Sequence, residues 1–260
     1  MADEAIDEVE AHNYVLLLKE CREELSKAAG PNRKFYLTIA CPAGPEKEKL
    51  KLEEMTPYLD FYNLMAYDFT GPWSAFAGHQ ANLFASASMP SATPWNTKDV
   101  VEYYRSAKVP ANRIILGMPL YGRDFANTNG PGRPFSGSGP GSWQPGIWDY
   151  KALPRPDATE KYDKEAGATY SIDEKAKMMV SYDTPDMVMK KTDFITQNQL
   201  GGAMWWESSG DKGGKTASKE EGSLIGTYFE EIKKLDHTAN NLNYPESKYD
   251  NLVNGFKPVS

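Results

Sequence analysis

From Glu8 to Ala29, apolar residues recur three and four positions apart at Tyr14, Leu17, Leu18, Cys21 and Leu25, and Gly30-Pro31 follows. That spacing predicts one amphipathic helix with a stop behind it. Phe35 to Ala40 is a short β-rich run that ends at Pro42-Ala43-Gly44-Pro45, and Lys47 to Met55 reads as a short helix. Leu59 to Phe69 (LDFYNLMAYDF) is apolar or aromatic almost throughout until it reaches Tyr67-Asp68, which predicts a second strand. After a long Gly-, Ala-, Ser- and Pro-rich loop, Asn96 or Thr97 caps a helix running through Ala107. Ile114 to Tyr121 (IILGMPLY) predicts a third strand, leading into Gly122-Arg123. Leu200 to Trp206 (LGGAMWW) predicts a fourth, followed by a helix from about Glu220 to Leu235.

Strands that are continuous apolar runs, separated by helices, predict a parallel sheet buried on both faces and hence an α/β class. The stretch from about Asp124 to Thr192 breaks this rhythm. It opens with NTNGPGRPFSGSGPGSWQPG, continues with strand-like pieces such as Gly167 to Ser171, and ends where Thr184-Pro185 starts a helix. A module of that size between a strand and its helix reads as an inserted α+β subdomain.

Composition changes this picture little. The 260 residues carry 29 Lys+Arg and 36 Asp+Glu, a formal charge of −7, and 40% are apolar, which is enough for a sizeable core. The acidic balance and the lack of a basic face argue against nucleic acid and anionic membrane as partners. No run of about 18 apolar residues predicts a bilayer span. The first residues, MADEAIDEVE, do not follow the basic-then-apolar order of a secretory signal. Cys21 and Cys41 lie in apolar segments and read as buried thiols, with a disulfide as the other reading. The three histidines, His12, His79 and His237, are too far apart in sequence for a zinc pattern.

The second, third and fourth predicted strands deliver polar or aromatic groups at their C-terminal ends: Tyr67 and Asp68, then Tyr121 and Arg123, then Trp206 and Glu207. In parallel α/β sheets, and in barrels above all, this is the edge where ligands bind. Tyr and Trp beside Asp and Arg suit a sugar, whose C–H faces stack on rings while its hydroxyls and amides need directed hydrogen bonds. Trp73 and Trp143 lie in loops expected to overhang that edge and extend the aromatic surface.

LMAYDF at Leu64–Phe69, GMPLYGR at Gly117–Arg123 and GGAMWWES at Gly201–Ser208 resemble three signature segments of the chitinases of glycoside hydrolase family 18. The fungal endochitinases are similar too in YLTIACPAGP, GHQANLF and the tail NYPESKYDN. The resemblance runs from about Ala11 to the C-terminus. It implies a (β/α)8 barrel with an α+β insertion, so that residues 1–123 and 193–260 form a partial barrel and 124–192 the insertion. It implies that Tyr67 and Asp68 hold the N-acetyl group of a substrate N-acetylglucosamine unit. Met65, Tyr121, Arg123 and Glu207 are implied to line the substrate site, with Trp206 as the floor beneath the sugar and Trp73 on the leaving-group side. Chitin and N-acetylglucosamine oligosaccharides are the implied ligands, no metal or organic cofactor is implied, and secretion is the implied location. The implied chemistry is substrate-assisted and retaining: a glutamic acid protonates the glycosidic oxygen while the sugar's own acetamido oxygen attacks the anomeric carbon.

That glutamic acid closes an Asp-x-x-Asp-x-Asp-x-Glu segment which this sequence does not contain. Its nearest approach, Asp3 to Glu10, has Ile6 and Glu8 at the middle positions and reads as an acidic helix start. Four strands are predicted where a barrel needs eight. The chain is therefore expected to correspond to the C-terminal half of such an enzyme and to be inactive by itself. The alternative expectation is a non-catalytic, lectin-like chitin-binding relative.

Overall fold

A computed structural model describes residues 8–31, 33–213, 216–239 and 246–253. Asp3 to Asp7 of the acidic start and Asn243 to Pro245 of the tail motif lie outside the described residues.

Helix α1, Glu8–Ala29, has the bounds its spacing predicts and buries Ala11, Val15, Leu18 and Ala29. Strand β1 (Thr38–Cys41) is followed by a 3-10 turn at Pro45–Lys49 and the single-turn helix α2 (Leu52–Met55), where the sequence predicts one longer helix. Leu50 and Lys51, in extended and irregular conformations, separate the two turns. Strand β2 covers only Phe61–Leu64 of the predicted run. Beyond it the chain bends away, and Asp68 takes a left-handed backbone conformation with φ of 59°. Helix α3, Thr97–Ser106, is capped by the Asn96 side chain, which accepts from the Asp99 amide.

Strand β3 is Ile114–Pro119. The predicted third strand is interrupted at Leu120, and Tyr121–Ala126 form β4, the first strand of a different sheet. Tyr121 and Arg123 are therefore carried by β4 and not by the end of β3. The chain continues through β5 (Ile147–Asp149), β6 (Thr159–Asp163), β7 (Ala168–Asp173), β8 (Met178–Ser181), α4 (Pro185–Gln197), β9 (Gly202–Trp206), α5 (Leu224–Glu231) and α6 (Asp250–Val253).

Two sheets organise these elements. The first is parallel, in the order β1-β2-β3-β9, with Ile39 opposite Tyr62, Asn63 opposite Ile115 and Leu116 opposite Ala203. The second is antiparallel, in the order β5-β4-β8-β7-β6. The α/β class expected from the sequence is thus present, with its parallel sheet.

Within the parallel sheet, burial on both faces is confined to β3. In β1 every second residue, Thr38 and Ala40, is exposed while Ile39 and Cys41 are buried. β9 is only half-buried, because among the described residues β1 and β9 are the outer strands. The main core lies on the helix side, where Val15 and Leu18 of α1, Val100, Val101 and Tyr104 of α3 and Phe194 of α4 pack over Ile39, Leu64 and Leu116. A second cluster joins the antiparallel sheet to α4 and α5 through Leu120, Trp148, Tyr182, Val188 and Leu224. Cys21 and Cys41 are free thiols, and burial pushes that of Cys41 up to about 12.

The long loop between β2 and α3 is pinned beneath the antiparallel sheet. Gln80 donates from Nε2 to the Tyr121 and Ser181 carbonyls at 2.7 and 3.0 Å, and its amide donates to Ser181 Oγ. Farther along the sheet, buried His79 meets Asp163 of β6 at 3.1 Å. These ties fix β4 over the end of β2, which is what brings Tyr121 and Arg123 to Asp68.

Candidate functional site

Asp68 is the node of the site. Its Oδ1 accepts from Tyr121 Oη at 2.7 Å and from Arg123 Nε at 2.6 Å, and its Oδ2 accepts from Arg123 Nη2 at 2.8 Å. The two parallel guanidinium bonds form the bidentate fork that suits a carboxylate. Burial works against the Arg123 charge, but the hydrogen bonds and charge of Asp68 outweigh it and hold the guanidinium above its usual range. Burial, reinforced by Asp68, drives the Tyr121 hydroxyl well above the usual tyrosine range. Both groups keep their protons at any ordinary pH and act as fixed donors.

Aromatic rings surround this node. Tyr67 meets Tyr121 edge to face at 6.2 Å, and burial pushes its hydroxyl up to about 12. The Arg123 guanidinium lies 4.8 Å from the Trp73 ring centroid, so the cation is stacked as well as paired. A pocket of about 130 Å³ opens above, lined by Asp68, Leu120, Tyr121, Arg123, Trp143, Ile147, Asp149, Trp206, Glu207 and Gly210. Trp206 is 60% exposed at the end of β9, an unusual cost for so large a ring unless something covers it. The Leu120 amide donates to the Trp206 carbonyl at 2.8 Å, which ties the ends of β3 and β9 together under the pocket.

Glu207 follows Trp206 and accepts from the amide and hydroxyl of Ser209. These bonds hold its carboxyl below the usual range, so it is ionised at neutral pH and poorly suited to donate a proton. Of the residues singled out from sequence, Asp68, Tyr121, Arg123, Trp206 and Glu207 line the pocket together with Trp143. Tyr67 and Trp73 reach it through Tyr121 and Arg123. Met65 stands outside its wall, where its amide donates to the Cys41 carbonyl at 3.0 Å. Sequence reasoning missed Asp149 and Ile147 of β5, because antiparallel β5 obeys no rule about the C-terminal ends of parallel strands. Among the described residues, no group of three His, Cys, Asp or Glu side chains could hold a metal ion, and no helix is long and apolar enough to cross a membrane.

Comparison with known proteins places this arrangement among relatives. Residues 4–211 match the family described as glycosyl hydrolases family 18. Chitinase 1 of Aphanocladium album is 47% identical over 254 residues, covering 96% of this chain and 59% of that protein, so the chain spans a little over half the length of its relative. The catalytic domain of the psychrophilic chitinase B from Arthrobacter TAD20 superposes with a TM-score of 0.77 at 30% identity, covering 87% of this chain and 52% of that one. Human YKL-39, described as a pseudo-chitinase with retained chitooligosaccharide binding properties, shares the fold with a TM-score of 0.79 at 24% identity, over 88% of this chain and 67% of that one.

Proposed function

Because the chain belongs to glycosyl hydrolases family 18, we propose that its pocket is the sugar-holding side of a chitin-cleaving site. The observation that carries this reading is the Asp68 node, a carboxylate gripped by Arg123 and Tyr121 at the foot of a pocket walled by exposed tryptophan. Asp68 and Tyr67 hold the acetamido group of an N-acetylglucosamine unit with its oxygen turned toward the anomeric carbon, a proximity effect. Trp206 is the floor beneath that sugar ring, and Tyr121, Arg123 and Glu207 shape the same subsite, with Met65 outside its wall. Trp73 serves the leaving-group side.

In the reaction, the acetamido oxygen attacks the anomeric carbon as the glycosidic bond breaks and the leaving oxygen takes a proton. Water then opens the oxazolinium ring with net retention. The resemblance gives that proton to the glutamic acid of an Asp-x-x-Asp-x-Asp-x-Glu segment, which this sequence does not contain. Neither Glu207, held ionised by Ser209, nor Asp68, committed to Arg123, supplies it. Residues 124–192 are the insertion within this scheme, with their sheet already begun at Tyr121 on β4. The remainder is the partial barrel.

The missing acid favours a second reading for the chain by itself, oligosaccharide binding without turnover, the property stated for human YKL-39. The test is a titration of the folded chain with N-acetylglucosamine oligomers, following tryptophan fluorescence and product release together. A fluorescence response without cleavage is expected. A folded chain that gives no response overturns the sugar reading, and cleavage by pure chain overturns the assignment of the acid to a missing segment.

A further inference from the structure

Helix α1 carries two apolar stripes, and the sheet covers one of them. Ala11, Val15, Leu18 and Ala29 are buried, whereas Tyr14, Cys21 and Leu25 are only half-buried and Leu17 is 57% exposed. The ties on the other side of the helix show where this second stripe stands. Arg22 donates to the Tyr58 carbonyl at 3.0 Å and to Asp60 just before β2, and Lys51, just before α2, donates to Glu8 at 3.0 Å. These bonds hold one flank of α1 toward β2 and α2. Tyr14, Leu17, Cys21 and Leu25, three and four positions apart, form the opposite flank. They stand beyond the outer side of β1, where the described residues supply no strand.

The other edge of the sheet is the counterpart of this one. β9 pairs with β3 alone among the described residues, and its Ala203, Met204 and Trp205 are half-buried. Helix α5 lies beside it, with Tyr228 edge to face on Trp205 at 6.2 Å and Phe229 62% exposed. A helix that alternates with parallel strands runs back against them, so the C-terminal halves of α1 and α5 lie at the same end of the sheet. There α1 carries exposed Glu20, Glu23 and Glu24, and exposed Lys233 and Lys234 follow α5. Acidic and apolar surface on one flank thus matches basic and apolar surface on the other.

We propose that a second copy of this chain covers both edges: β9 of each copy takes β1 of the other as its parallel neighbour, and α5 of each packs against the second apolar stripe of the other's α1. A two-fold axis along the strands makes both junctions at once. Two four-stranded sheets then form a closed ring of eight parallel strands, the number whose interior side chains fill. Joining like edges about a two-fold across the sheet would run the strands antiparallel and leave lysines and glutamates apart. The inference goes beyond the sugar reading and does not depend on it.

Sedimentation of the full chain without sugar, over a range of concentrations, tests it, and twice the mass of one chain is expected. Glu20→Lys with Glu23→Lys, and separately Lys233→Glu with Lys234→Glu, are expected to raise the dissociation constant of the dimer at least about tenfold. An equimolar mixture of these two variants restores opposite charges at both junctions and should dimerise as the wild type does. Leu17→Asn should weaken the dimer by a similar factor while circular dichroism shows the helix content of the wild type. A wild type that is folded and monomeric overturns the proposal and leaves the edges to some other polypeptide. Growth into open-ended assemblies also overturns it, since the edges would then join without closing. Dimers that tolerate both charge reversals, or a mixture that stays monomeric, overturn the junction between α1 and α5.

Discussion

Arg123 holds Asp68 with two parallel bonds, Nε to Oδ1 at 2.6 Å and Nη2 to Oδ2 at 2.8 Å. The pair joins the loop after β2 to β4, and so joins the two sheets. Replacing Asp68 by Ala leaves a largely buried guanidinium without its counter-charge. Losing one partner of a fully buried pair costs about 3–5 kcal/mol. With about a third of the Asp68 side chain exposed, screening reduces this to roughly 1–2 kcal/mol. Urea unfolding should report that loss with the fold retained. In a protein that also carries the general acid, turnover should fall by orders of magnitude, and unchanged turnover would remove Asp68 from acetamido positioning.

A second carboxylate controls the acid limb of stability. Since a carboxylate only accepts, the His79 Nε2–H that faces Asp163 is a donor, and this bond lowers the Asp163 carboxyl below its usual range. A carboxyl with a depressed folded value contributes stability that is fully present above the unfolded value, about 3.9, and is lost as pH falls through the folded one. Asp163→Asn should therefore be less stable than the wild type above about pH 4, with the difference shrinking as the medium becomes more acidic. Unfolding free energies measured from pH 3 to pH 7 check this. Parallel curves for the two proteins would contradict it.

Lys191 and Asp183 form a pair at 2.6 Å with side chains only 1% and 3% exposed. Burial pushes the Asp183 carboxyl up, and Lys191 opposes that shift. Lys191→Met strands the carboxylate and should cost about 3–5 kcal/mol, whereas Lys191→Met with Asp183→Leu should cost much less. Chemical denaturation of both variants distinguishes them, and equal losses would show that the lysine stem matters more than its charge.

Gly117 of β3 follows Leu116, which is paired with Leu64 at the end of β2. A Cβ there would meet the Leu64 carbonyl and come within 3.0 Å of the Tyr67 ring. Gly117→Ala should cost about 1–3 kcal/mol through overpacking and shift Tyr67 against Tyr121. A near-wild-type melting temperature with an unchanged tyrosine environment would show that the strands separate at no cost.

Much of this was legible in the chain. The 3–4 residue spacing in α1, the Asn96 cap of α3 and the apolar runs of β3 and β9 all express local physics that a sequence displays directly. Tyr67-Asp68, Tyr121, Arg123 and Trp206 stood out because polar and aromatic groups closed apolar runs. What the chain did not display was non-local. The stop at Leu120 comes from the hydrogen bonds it makes with Trp206 and Tyr150, and neither partner is near it in sequence. Asp149 is an ordinary residue in a three-residue strand until the turn at Gly141 folds Trp143 back upon it.

The open flank of β9 has a consequence for how this molecule responds to its surroundings. Trp206 stands at the end of a strand that has no strand neighbour on its outer side among the described residues. Any polypeptide that extends the sheet there lands beside the same indole that lines the pocket. Sheet extension and pocket occupancy are then linked equilibria, and whatever factor one contributes to the affinity of the other is returned in full.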